Sequence, residues 1–584
     1  MERILAPRFS GVVLFLLGLL LIAFDLLDGT LFLRDIDDQL RAWQIRVFHE
    51  GLVSFRDLTL PGIAMPEPYI SPWSRLVDVP YLGLAWLFGF FPGVTDPLAL
   101  AFQVWPLCML LPFCLMAGGV LRPGFEHSGF DARLRGLVLV LAAALMTIGF
   151  GEFAPTRIDH HNVQILALTA AMYGLCRWDA AGAALVGVGC AVSLLIGLEG
   201  LPMLVIVLGG LALADLLQLP GAAAMARRSG VWLAGSLALG GWIFAGPAAM
   251  AETVCDAFSA PYLFLMGAAG LVLTAGGAIK ERGRLPLRKG LIYGPGGLFA
   301  LLLAAWLFSE CLAGPYQMID PLSKELWLLR VDQEHGIGQF FRNGQYGFGF
   351  LAFLWCAVVI FALPVVFSLA RRRPGLLIAF CLAAVSLLLT LVLTRYIRFA
   401  AAFVPLFLPL AMTGLIRPAW WSKGAVIAGF LAMAGLALIN PSQRKVLDVA
   451  NAMAYVQCDR EDHAVLAQVP PGRLFMPQGD ALNVVTEGHS GFTVNAIPYH
   501  RAAPALKQAF TVFLGEDAES WRKPLAPYDY LAICRPVLPM QADGKTLFGQ
   551  LAAGKAPAWL QALSDPPARF QLYRIDHPAL AQGR

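Results

Sequence analysis

The sequence predicts a polytopic α-helical membrane protein closed by a small C-terminal α/β domain. Three observations carry this expectation. Hydrophobic residues make up 58% of the chain of 584 and charged residues only 14%, whereas soluble chains carry about 25% charged residues. Apolar runs of roughly 20 residues, the length that crosses a bilayer, recur along the chain. Near residue 440 the runs stop. Short stretches then follow, "RLFMPQ", "GFTVNAI", "YDYLAIC" and "RFQLYRI", which read as strands between helical segments. The chain therefore divides into a membrane domain, 1–440, and an α/β domain, 441–584.

Spans are expected near 10–29, 97–121, 136–152, 163–176, 180–197, 201–218, 231–250, 261–279, 291–312, 347–369, 375–393, 400–416 and 424–440, about thirteen in all. The first lacks a small-residue cleavage site and reads as a retained helix rather than a signal peptide. Basic residues in alternate loops fall on one side: Arg122, Arg133 and Arg135, then Arg177, then Arg227 and Arg228, then Lys280, Arg282, Arg284, Arg288 and Lys289, then Arg371 to Arg373, then Arg417 and Lys423. That side is cytoplasmic by the positive-inside rule. The outer side then receives 30–80, 154–162, 313–346 and the tail. The run 79–91, bounded by Pro80 and Pro92, is too short to span and reads as an interfacial helix on the outer face. A net charge of only +4, with no basic run carrying interleaved aromatics, argues against a nucleic-acid partner. Cys458 and Cys534 lie in the polar tail, where an oxidising compartment would join them. No Walker A sequence and no dinucleotide fingerprint occurs.

Four polar clusters fall on the outer side. "RDIDDQLRAWQIR" opens the first loop with Asp35, Asp37 and Asp38. Three acids so close repel one another unless a cation or a proton compensates, or they cap a solvated helix start. Further along, Trp73 and Arg75 read as interfacial anchors, with acceptor contact as the alternative. In "TRIDHHNVQ", Asp159, His160 and His161 stand at the mouth of an apolar run. Carboxylate oxygen with imidazole nitrogen suits Mn²⁺, or Mg²⁺ where carboxylates dominate; the bland alternative is a polar loop. In "ELWLLRVDQEHG", Glu334 either completes a metal site, orients an acceptor, or pairs with Arg330. In "TRYIRFAAAF", Arg395 and Arg398 enter an apolar span. Arginines there need a partner, and a lipid phosphate supplies one; snorkelling to headgroups is the alternative. Glu199, at the outer end of a span, is a weaker candidate. In the tail, His489, His500 and Arg501 of "GHSGFTVNAIPYHR" are candidate contacts to an acceptor or a partner.

The order of these motifs resembles the GT-C superfamily of polyprenyl-dependent glycosyltransferases, especially the oligosaccharyltransferase catalytic subunits of archaea and bacteria. The likeness covers roughly residues 1–440. "DHH" is similar to that family's second metal motif, which implies that Asp159 and His161 ligate a divalent metal and that His160 is their neighbour. "VDQE" resembles a late-loop motif ending in Glu, here Glu334, and "RF", Arg398-Phe399, resembles the element that meets the lipid-linked phosphate. The first-loop acid corresponds best to Asp37, with Asp35 and Asp38 as rivals. One departure stands out: the tail has no Trp-Trp-Asp sequence of the kind that reads a protein acceptor, and Trp420-Trp421 falls on the cytoplasmic side. Segments "WSRLVD", "RIDHHN" and "PYHR" are also similar to bacterial membrane proteins from which no activity carries over.

The resemblance implies a multi-pass enzyme of the bacterial inner membrane with its site and tail in the periplasm. It would move a sugar from polyprenyl phosphate or pyrophosphate to a glycan, lipid or protein acceptor, using Mn²⁺ or Mg²⁺. Two other classes compete. A transporter would show an internal repeat and mid-span ionisable residues, and neither is seen. A non-catalytic envelope-assembly protein would tolerate loss of Asp37.

Overall fold

The computed structural model describes residues 2–28, 35–65, 67–280, 286–416, 419–439, 448–487, 491–537 and 544–582; His489 lies outside them. The chain forms two compact units. One comprises Met1–Arg34, Trp73–Pro315 and His335–Gln443; the other comprises Asp35–Pro72, Tyr316–Glu334 and Arg444–Arg584.

The first unit is helical. Among the described residues nine helices are long and apolar enough to cross a membrane: Phe9–Leu27, Pro97–Ser128, Leu198–Leu216, Ala222–Ala251, Ala260–Ala278, Leu287–Leu307, Tyr346–Leu369, Pro374–Val392 and Thr394–Ile416. Ala180–Ile196 is a shorter apolar helix, and His161–Arg177 packs beside it. Small residues allow that approach: a Cβ on Gly189 would lie 2.4 Å from the carbonyl oxygen of Ala167, the close backbone contact on which helix packing in lipid relies. The short apolar run after the first loop folds as the helix Asp78–Phe88, with Trp86, Phe90 and Phe91 exposed. A disulfide, Cys255–Cys311, closes a loop of this unit across a sequence separation of 56; no cysteine spacing announced it. A buried ion pair, Lys289 Nζ to Asp215 at 2.5 Å, receives the Tyr293 hydroxyl at 2.8 Å. It fastens the helix Leu201–Leu216 to the start of the span Leu287–Leu307.

The second unit is built on a seven-stranded mixed sheet: β1 Thr59–Ala64, β2 Pro68–Ile70, β3 Arg473–Phe475, β4 Thr493–Val494, β5 Tyr530–Cys534, β6 Leu560–Ala562 and β7 Phe570–Ile575. Their order is β2-β1-β4-β3-β5-β7-β6. The four apolar stretches of the tail supply β3, β4, β5 and β7. The segment after the first span supplies β1 and β2, with Ile63 of β1 paired to Val494 of β4 in parallel. One face of the sheet, through Phe475, Leu531 and Tyr573, closes a core with Phe513, Trp521 and Trp559. Cys458 and Cys534 form the expected disulfide.

Beneath the sheet, the His463 ring is fully buried between two carboxylates, Nδ1 2.8 Å from Glu487 and Nε2 3.0 Å from Asp480. Burial opposes the imidazolium, but hydrogen bonds and charge from Asp480, then Glu487, raise the pKa above its ordinary 6.5. A raised folded-state value stabilises fully below 6.5 and is lost as pH rises through it. The difference in unfolding temperature between wild type and His463→Gln is therefore expected to shrink steadily above that point. A difference independent of pH in thermal scans of the intact protein would contradict this.

Candidate functional site

The residues of "TRIDHHNVQ" form a built corner rather than a slack loop. Thr156 adopts φ +69°, a left-handed conformation that a β-branched residue rarely takes, and donates its N–H to Phe102. The Asn162 amide donates to the carbonyl of Arg157 at 2.8 Å, closing the loop on itself. The helix His161–Arg177 then begins, so His160 is its N-cap and His161 its first residue.

This corner gathers a buried charge cluster. His160 Nδ1 lies 2.5 Å from Asp159 Oδ1, and His161 Nδ1 contacts Asp159 Oδ2. The Arg398 guanidinium contacts His161 Nδ1 and stands 3.9 Å from Asp159 and 3.8 Å from Glu152. Glu152 accepts from Arg157 at 2.9 Å. Glu199 Oε2 lies 2.7 Å from His161 Nε2 and 3.9 Å from His160 Nε2, and the Arg395 charge acts on it. Burial opposes charge on Asp159, but His160 and His161 outweigh it and hold the carboxyl well below the usual carboxylate range. It is therefore an anion at neutral pH.

Asp159, His160 and His161 each offer a ligand atom, and these atoms lie within 4.8 Å of one another. Imidazole nitrogens with carboxylate oxygens are a donor set for a borderline divalent ion, so the residues fit the metal that the motif implies. Cys458, Asp480 and Cys534 also sit together, but both sulfurs are spent in the disulfide.

Trp73 and Arg75 are not exposed anchors. Trp73 is 8% exposed and its ring packs 5.6 Å from that of His160. Arg75 is fully buried and pairs with Asp78 at 3.2 Å. Phe399 meets the edge of the His161 ring.

In the second unit the acids of the first loop part ways. Asp35 caps the helix Ile36–His49, accepting from the N–H groups of Asp37 and Asp38 at 3.1 Å, while Asp38 accepts from the Asp35 N–H at 3.2 Å. This is a capping box. Asp37 instead accepts from the Tyr499 hydroxyl at 2.6 Å. Burial, then the Asp37 carboxylate, push the Tyr499 phenol well above its ordinary value, so it stays a donor. His500 packs against Tyr316, and Arg501 donates to the Ile70 carbonyl at 3.0 Å. Arg330 pairs with Asp448 at 2.8 Å, and Glu334 ends the short turn Asp332–Glu334.

Glu152, Arg157 and Tyr499 escaped the sequence reading. Glu152 had a signal: it is the only acid between Asp131 and Asp159 in an apolar stretch. Tyr499 had none, because its partner lies 462 residues away.

Comparison with solved structures finds archaeal oligosaccharyltransferases that share this fold. The archaeal oligosaccharyltransferase AglB from Archaeoglobus fulgidus, in complex with an inhibitory peptide and a dolichol-phosphate, matches with a TM-score of 0.57 at 12% identity. The match covers 85% of this chain and 65% of that one, so this chain spans less than two thirds of that length. The apo Archaeoglobus fulgidus oligosaccharyltransferase matches with a TM-score of 0.56 at 14% identity, covering 95% and 73%. Its complex with Zn and sulfate matches with 0.54 at 12% identity, covering 90% and 67%. No family model matches the sequence, and no curated protein does. The likeness is one of fold.

Proposed function

We propose that the protein transfers a sugar from a polyprenyl phosphate or pyrophosphate to an acceptor at the periplasmic face of the bacterial inner membrane. One observation carries this reading: a buried cluster of Asp159, His160, His161 and Arg398 opens a helix of a membrane unit whose fold is that of oligosaccharyltransferases. Those neighbours were solved with a dolichol-phosphate in one case and with Zn and sulfate in another. Both ligand sets match what this cluster offers, a cation site beside fixed guanidinium charge.

The acid–histidine cluster would hold a divalent ion, Mn²⁺ or Mg²⁺ being the expected choices, which supplies Lewis-acid stabilisation of phosphate charge when bound. Arg398, with Arg395, binds the lipid-linked phosphate through charge-assisted hydrogen bonds. Glu152, itself paired with Arg157, holds the Arg398 guanidinium in place. Asp37 takes the acceptor proton, and Tyr499 orients its carboxylate. In the transfer, the sugar C1–oxygen bond to phosphate breaks with its electron pair leaving on phosphate. The acceptor heteroatom bonds to C1 and its proton passes to Asp37. Glu334 is a further candidate for the catalytic machinery, and Trp73 would keep the His160 ring in position. The acceptor is a glycan, a lipid or a protein, with His489, His500 and Arg501 as its candidate contacts.

The test is binding of a polyprenyl-phosphate-sugar analogue to the purified protein. Binding is expected to require Mn²⁺ or Mg²⁺ and to vanish in Asp159→Ala/His161→Ala. Binding indifferent to chelator and to the double substitution would return "DHH" to a structural corner.

A further inference from the structure

The rings of His160 and His161 lie face to face, centroids 4.3 Å apart, between the same two carboxylates. Asp159 stands on the Nδ1 side of both rings, and Glu199 on the Nε2 side of both. The two sides differ in charge. On the Nδ1 side the Arg398 guanidinium touches His161 itself, so a divalent ion bound to that nitrogen would meet a fixed cation at contact distance. On the Nε2 side His161 meets a carboxylate at 2.7 Å.

Glu199 is also delivered by a built turn. The chain leaves the helix Ala180–Ile196 as "GLEGLP" and starts the next helix at Leu201. Gln164, on the helix that begins with His161, donates its side-chain amide to the Gly197 carbonyl at 3.0 Å. A Cβ at Gly197 would come within 3.2 Å of His160 Nε2 and 3.0 Å of the Gln164 side-chain nitrogen, so the backbone passes close to both. The Glu199 side chain remains 23% exposed, against 7% for His160, 4% for His161 and 1% for Asp159.

We propose that Glu199 is a metal ligand: the ion sits on the Nε2 side, held by His160, His161 and Glu199, and Asp159 is the carboxylate that orients both rings from Nδ1. The proposal rests on the metal-centre reading above and reassigns the ligand role from Asp159 to Glu199. Imidazoles that ligate through one nitrogen commonly bond a carboxylate through the other, which fixes tautomer and ring orientation. Two nitrogens and one carboxylate favour Zn²⁺, Co²⁺ or Mn²⁺ over Mg²⁺. Arg395, whose charge acts on Glu199, is then placed to share an anionic phosphate beside the ion.

Cobalt titration of the purified full-length protein, followed by absorption, tests this without any assay of transfer. Glu199→Cys is expected to gain a thiolate-to-cobalt charge-transfer band that wild type and Asp159→Cys lack. Glu199→Gln is expected to weaken Co²⁺ binding by more than the roughly 10–100-fold that loss of an outer-shell partner costs. A band in Asp159→Cys, with or without one in Glu199→Cys, overturns the proposal but leaves the metal centre standing. Wild-type affinity in Glu199→Gln does the same, and decides the matter where the cysteine variant does not fold. Wild-type protein that takes up neither Co²⁺ nor Mn²⁺ removes both readings.

Discussion

Asp37→Asn is expected to lower the rate of sugar transfer by about 10³-fold while donor binding stays at wild-type strength. A positioned general base contributes about 10²–10⁴-fold, and the amide cannot accept the acceptor proton. The substitution keeps the shape of the side chain and an oxygen to receive the Tyr499 hydroxyl, so the fold survives. Asp35 and Asp38 are engaged in the capping box, and their asparagine variants should lose stability before they lose rate. Tyr499→Phe should fall between, because it leaves the carboxylate in place but removes its hydrogen bond at 2.6 Å. Transfer by Asp37→Asn within a few-fold of wild type would sink the catalytic role and favour the assembly-protein alternative.

Arg398→Ala should cost a comparable factor, about 10²–10³-fold in kcat/KM, the loss seen when a preorganised donor to a developing anion is removed. Here the deficit appears in donor binding as well as in rate. Arg398 also neutralises Glu152 and Asp159 inside the unit, and removing one partner of a buried charge set destabilises by about 3–5 kcal/mol. Arg398→Lys separates the two effects. It restores the charge but not the planar fork, so stability should recover more than transfer does. Equal recovery of both, in paired thermal and kinetic measurements, would leave Arg398 as a structural charge alone.

The parts of the site that were legible in the sequence are those that are contiguous. "DHH" announces itself because three candidate ligands stand side by side at the head of an apolar helix. Arg398 is visible because an arginine in a membrane span demands an explanation. Glu152 and Glu199 join the cluster only through packing. One sits seven residues before Asp159, the other 38 residues beyond His161, and no local pattern ties either to it. Four strands of the tail, β3, β4, β5 and β7, were readable as short apolar runs, and β6 was not. β1 and β2 were not: "TLPGIA" contains proline and glycine, which weaken a strand signal. What makes it a strand is a partner in the tail. Tryptophan at position 73 read as a membrane anchor because that is the common fate of a tryptophan near an interface; its ring is instead taken up by His160.

The pairing of Ile63 with Val494 has a consequence for biogenesis. A ribosome that has just made β1 still has to make about 430 residues before its sheet neighbour exists, which takes roughly 20–90 s at ordinary elongation rates. Throughout that interval the early hairpin is an unclaimed edge with backbone groups to spare, a template for wrong partners. The newborn chain thus has to be sheltered until β4 has been made. Truncations near the end of the membrane portion are correspondingly expected to strand the first loop rather than yield a smaller working protein.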